Sequence, residues 1–207
     1  PILCRKDPNT GEYQALVFFG FQKDENLFLV HADSVNQKNL GWAADYVPAV
    51  MARGPFSIGI QREIEHGSEI LKSVVHINMS HPKAVCEDGL GLFLENGGHS
   101  PYLNYISKVL DTINDGIYLT KLMFDAFTKY ELLDPVILDI EFQNQNKLKI
   151  NGFETINTDR LSQLTGEALE ELNKSGFLQA AYFIVASMTN VRKLIDLKNR
   201  KILEGDD

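Results

Sequence analysis

The chain has 207 residues, of which 44% are hydrophobic and 23% charged, and its net charge is −8. That is the composition of a folded protein long enough to bury a core, as one large domain or two small ones. An acidic surface repels phosphate backbones, which argues against a nucleic-acid partner, and no apolar run reaches the ~18–20 residues of a membrane span.

The first segment, PILCRKDPNTGEYQ, carries no initiator Met and no apolar signal core, so it was either processed or begins within a longer protein. Residues 14–21, QALVFFGF, predict a buried strand after the turn DPNTG, and NLFLVH at 26–31 predicts the next. A polar loop then leads to GWAADYVPAVMARGPF, where Pro48 at a first helical position opens a short helix and Gly54-Pro55 stops it. SIGIQRE and LKSVVHINM alternate as strands across the turn EHGSE, and DGLGLFLENGG predicts a short strand closed by glycines.

Ser100-Pro101 is a helix start, an N-cap serine followed by proline at the first helical position. Leu103, Ile106, Leu110, Ile113, Ile117, Phe124 and Phe127 share one face of a helix expected to run to about Leu133, with Pro135 ending it. Gly116 inside it costs about 1 kcal/mol against alanine, which predicts a close packing partner or a bend there. PVILDIEF and KLKINGFE form a hairpin across QNQN. Asn157 or Thr158 caps a short helix, Thr165 opens another that Gly176 closes, and Phe177 to about Lys201 predicts one last long helix. The fold class is α+β in a single domain: mostly antiparallel N-terminal strands, a long central helix, a β-hairpin and C-terminal helices.

No acid, base, nucleophile and metal set converges in the sequence, and no phosphate loop or cofactor motif is present. No cofactor is expected. The candidate binding site is the corner holding Trp42, Tyr46, Arg53 and Phe56. It reads in two ways: a stiff corner packed on the core through large aromatics, or a recognition surface in which rigid aromatics beside Arg53 hold a carboxylate or a peptide. A metal reading competes with it. His31-Ala32-Asp33 has the His-x-Asp spacing of facial-triad iron enzymes, with His76, His81 or His99 as a third ligand, which gives an oxygenase-like alternative at His31, Asp33 and His76. His76, His81, Cys86 and Asp88 form a looser zinc-like set, which lacks the paired spacing of structural zinc sites. The basic run Arg192 to Lys201 suits the negative end of the last helix or an acidic partner. Phe124, Phe127, Tyr182 and Phe183 are expected in the core. Cys4 and Cys86, the only cysteines, fit a reducing cytoplasm.

Several passages together resemble the bacterial SapC family: NLF at 26–28, then Trp42, Tyr46, Val47, Pro48, Ala49, Arg53, Pro55 and Phe56 in the pattern W-x3-YVPA-x3-R-x-PF. GLFLENGGHSPYLNYI and the tail TDRLSQLTGEALEELNKSGFLQAAYFIVASMTNVRKL are similar to that family as well, so the likeness spans nearly the whole chain. It departs at Arg53-Gly54, where the family tends to carry two basic residues. The resemblance implies one SapC-like domain over residues 1–203, lacking an N-terminal part of the family domain, and an acidic tail at 204–207. It also implies a non-catalytic accessory protein of surface-layer or envelope functions that acts in the cytoplasm on a protein partner. It supplies no catalytic residues.

Overall fold

The computed structural model describes residues 1–29, 41–65, 68–85 and 89–204. In chain order the elements are β1 (Ile2–Lys6), β2 (Tyr13–Val17), α1 (Ala49–Ala52), β3 (Phe56–Glu65), β4 (Ser68–Ile77), α2 (Pro101–Lys129), β5 (Leu133–Glu141), β6 (Lys147–Ile156), α3 (Thr158–Ser162), α4 (Gly166–Lys174), α5 (Phe177–Ser187) and α6 (Asn190–Glu204). The fold is α+β with antiparallel sheets. The chain forms two compact units, one of residues 1–44 and 120–207, the other of residues 45–119. Helix α2 contributes residues 101–119 to the second unit and 120–129 to the first.

The first unit is built on an antiparallel sheet of order β2-β1-β6-β5. Strand β1 was not legible in the sequence, because Arg5 and Lys6 interrupt its apolar run; Leu3 and Cys4 alone carry it inward. Asp7 shapes the turn to β2, its carboxylate accepting from the Asn9 and Thr10 amides at 2.8 and 3.1 Å. Strand β2 ends at Val17, short of the expected 14–21, and 26–29 holds only an isolated bridge between Leu29 and Trp42 instead of a strand. Hairpin β5–β6 pairs Glu141 with Lys147 across its turn and slips register between Val136 and Leu138. The extra residue lies on β6 near Gly152, whose φ of +79° is the left-handed conformation such a bulge takes.

Helix α2 ends at Lys129, not near Leu133. The Leu132 amide reaches the Phe127 carbonyl at 2.8 Å and the Glu131 amide the Thr128 carbonyl at 3.1 Å, with Glu131 at φ +53°. These bonds satisfy the last carbonyls in a Schellman cap. Pro135 therefore does not stop the helix; it sits inside β5 opposite Glu154. Phe124, Ala126 and Phe127 pack in one core with Cys4, Leu132, Ile156, Leu161, Leu172, Ala181 and Ile184. Burial, and then the Glu154 charge, push the Cys4 thiol up to about 12. Asn157 caps α3 by accepting from the Arg160 amide at 2.8 Å. Gly176, at φ +77°, closes α4 as expected and also heads α5.

The expected last long helix is two helices. The Ser187 hydroxyl donates to the Ile184 carbonyl at 2.7 Å and accepts from the Ile2 amide, while the Thr189 hydroxyl donates to the Ala186 carbonyl at 2.8 Å. These hydroxyls compete for the carbonyls of the last turn, and the chain breaks at Met188-Thr189 between α5 and α6. Tyr182 and Phe183 are exposed on α5 and lie outside the core expected for them.

The second unit is slighter. Strands β3 and β4, ten residues each, pair from Phe56↔Ile77 to Glu65↔Ser68 and form a two-stranded ribbon. Its core is Phe56, Ile106 and Leu110, flanked by Ile58, Leu92 and Tyr102. The passage around DGLGLFLENGG forms no strand among the described residues; only a bridge joins Phe93 to His99. Ser100 caps α2 as expected, its hydroxyl accepting from the Leu103 amide at 3.2 Å. Among the described residues Gly116 has no packing partner, since a Cβ there would meet nothing within 4 Å.

Candidate functional site

The corner begins at Pro48, which takes the N-cap position with extended backbone instead of the first helical position. Its carbonyl accepts from the Met51 and Ala52 amides at 2.8 and 2.9 Å, closing the single turn of α1. Gly54, at φ +54°, turns the chain out of that helix, and the Phe56 amide donates back to the Arg53 carbonyl at 3.1 Å. Phe56 is buried, edge-on to Tyr102 with ring centres 6.1 Å apart, so the corner is anchored to its own unit's core. What it presents outward is apolar: Tyr46 is 75% exposed, and Val47, Val50 and Met51 are exposed beside it. Arg53 is half-buried, and among the described residues its guanidinium has no carboxylate partner.

Trp42 belongs to the first unit. It is buried, stacked on Phe28 at 5.5 Å and edge-on to Phe19 at 5.7 Å. The Ala43 amide donates to the Phe28 carbonyl and the Leu27 amide to the Phe19 carbonyl, both at 2.8 Å, which pins the two segments that carry the three rings. Of the four candidate binding residues, Trp42 and Phe56 thus serve as buried anchors, each in its own unit, while Tyr46 and Arg53 flank the exposed turn.

A second feature of the 45–119 unit had no sequence signal as a site. A groove of about 540 Å³ opens between the ribbon and α2, lined by apolar side chains that include Phe56, Ile58, Val75 and Leu110. Ser73, His99, Ser107 and Asp111 supply its polar groups. Among the described residues Asp111 has no ion-pair partner. Leu103, Ser107, Leu110 and Asp111 fall at helical spacing on one face of α2, a pattern that in sequence resembles any core stripe.

His31, Asp33, Cys86 and Asp88 lie outside the described residues. His76 is exposed on β4, and its ring lies over Gly59, where a Cβ would come within 2.5 Å of its Nε2. His81 Nδ1 accepts from the Lys83 amide at 3.1 Å, which starts a 3-10 turn over Pro82–Ala84. No three potential ligands among the described residues are grouped to hold a metal. In the basic run of α6, Lys198 is buried with a side chain only 6% exposed, and its Nζ pairs with Glu25 at 3.1 Å. The Glu25 carboxylate also accepts from the Phe21 and Gln22 amides at 2.7 and 3.2 Å. Lys198 is therefore a structural tie and not part of a docking face; Arg192, Lys193 and Arg200 stay exposed.

The family profile of SapC matches residues 1–194, nearly the whole of the chain. The chain belongs to the SapC family. No curated protein and no solved structure is significantly similar to it. No helix among the described residues is long and apolar enough to cross a membrane.

Proposed function

We propose that this SapC-family chain is a non-catalytic accessory protein of surface-layer or envelope functions, acting in the cytoplasm by binding a protein partner at the corner around α1. The observation that carries this reading is the exposed apolar turn Tyr46, Val47, Val50 and Met51, held rigid by the buried Phe56. A stiff turn loses little conformational freedom on binding, and an aromatic beside a cation is the composition of an interface hot spot. Arg53 selects a partner with a carboxylate next to an apolar patch. Trp42, buried among the rings of Phe19 and Phe28 in the first unit, does not touch the partner.

The test is capture from the native host's lysate with wild-type protein and the Tyr46→Ala and Arg53→Ala variants, each first shown to melt like wild type. A partner retained by wild type and lost by both variants supports the reading. Equal capture by all three, or no specific partner, removes the corner as the binding site.

A further inference from the structure

The β3–β4 ribbon has two unlike faces. By register, Glu63, Glu65 and Lys72 share one face, where Lys72 Nζ meets Glu63 at 2.6 Å and Glu65 at 3.8 Å. The other face carries Phe56, Ile58, Ile60, Arg62 and Ile64 from β3, with Ile77, Val75 and Ser73 opposite them on β4. Near the base of the ribbon this face lines the groove over α2. Beyond the groove it is largely open among the described residues: Ile60 is 71% exposed and Ile64 82%. A two-stranded ribbon is marginal in water by itself, and an exposed, largely apolar face on one marks an interaction surface.

We propose that this face is where two copies of the chain associate, Ile60, Arg62 and Ile64 of one copy seating in the groove of the other beside its Asp111, and reciprocally. Three observations select a second copy as the occupant. The chain offers both halves of the contact, a projecting apolar row and an apolar groove, at opposite ends of one ribbon face. Two ribbons laid face to face and antiparallel about a two-fold axis put each row over the other's groove, the self-complementary arrangement a symmetric dimer needs. The charges also match. The row carries one cation, Arg62, and the groove one carboxylate without an ion-pair partner among the described residues, Asp111. Among the described residues Arg62 is held at home by Glu69 at 3.3 Å, a pair 78% and 58% exposed and so weak enough to exchange. The proposal does not depend on the partner-binding role of the α1 corner.

The experiment is sedimentation equilibrium of the full chain over a wide concentration range, with circular dichroism to show that each variant folds. Ile64, Arg62 and Asp111 are all exposed, so their replacement leaves the core intact. Wild type is expected to dimerise and Ile64→Glu to sediment as a monomer. Arg62→Asp and Asp111→Arg are each expected to weaken the dimer about tenfold or more, and their combination to restore it, because the charge pair is then reversed rather than lost. A monomeric wild type overturns the proposal and leaves the face to another protein or to a segment outside this chain. So does a dimer indifferent to Ile64→Glu, or a double variant no tighter than the single ones.

Discussion

The two units differ in how they use apolar side chains. Residues 1–44 and 120–207 direct theirs inward: a four-stranded sheet and helices enclose Phe127, Leu132 and Leu172 completely, and even a lysine is buried and paired. Residues 45–119 enclose little beyond Phe56, Ile106 and Leu110, yet carry most of the exposed large apolar residues found among the described ones. Helix α2 shows the change within one element, from exposed Ile117, Tyr118 and Leu119 to fully buried Phe127 two turns on. One unit therefore encloses most of its apolar side chains, and the other leaves many of its own exposed.

The sharpest way to break this contrast is to compare damage in the two units. Lys198→Met should lower unfolding free energy by about 3 kcal/mol, because it strips the cation from the Glu25 carboxylate, whose side chain is only 12% exposed. Ile64→Glu should change it by no more than about 0.5 kcal/mol. Urea titrations of both variants decide this, and equal losses would end the distinction. Next in size, Trp42→Ala should cost about 3 kcal/mol through its lost packing on Phe19 and Phe28, whereas Tyr46→Ala should leave stability within about 0.5 kcal/mol of wild type and remove partner capture. Thermal melts and capture run in parallel read both halves.

Gly116→Ala should stabilise the chain by about 1 kcal/mol, since the helix gains propensity and the new methyl meets no neighbour. A lower melting temperature would mean that a neighbour packs against α2 at residue 116. The smallest effect concerns Glu171, whose carboxylate accepts from Lys129 and Tyr130, each at 2.6 Å, and is held below its ordinary value first by the Lys129 bond and then by Tyr130. A depressed carboxylate stabilises the fold above its unfolded value, and that contribution fades as pH falls through the folded one. The stability gap between wild type and Lys129→Ala should thus be open near neutrality and close as pH drops below 4.5. Because the pair is exposed the gap is small, and a gap that widened in acid would contradict the assignment.

The sequence made the first unit's elements readable where period and punctuation agreed. The hairpin across QNQN, the Asn157 cap and the Gly176 turn all carry local signals, and the structure realises each of them. It misled where a local signal was overruled. Pro135 looks like a helix stop, but the Glu131 cap had already ended α2, and a proline is tolerated within β5. Serine and threonine hydroxyls at 187 and 189 broke a helix whose apolar period continues through them. Of the site, the corner was legible as a rigid element through its prolines and glycine, but which aromatics face outward was not: Trp42 and Tyr46 look alike in sequence and differ only in the tertiary partners they find. The groove was hidden for the same reason, since Leu103, Leu110 and Asp111 read as one more amphipathic stripe until the ribbon sits across them.

Hydrogen exchange read by mass spectrometry tests the central contrast most directly, on dilute and on concentrated wild-type protein. Slow exchange in β1, β5 and β6 at both concentrations, with β3–β4 fast when dilute and slowed when concentrated, is the predicted result. Protection of β3–β4 equal to that of β5–β6 in the dilute protein would contradict it, because the second unit would then be as self-sufficient as the first.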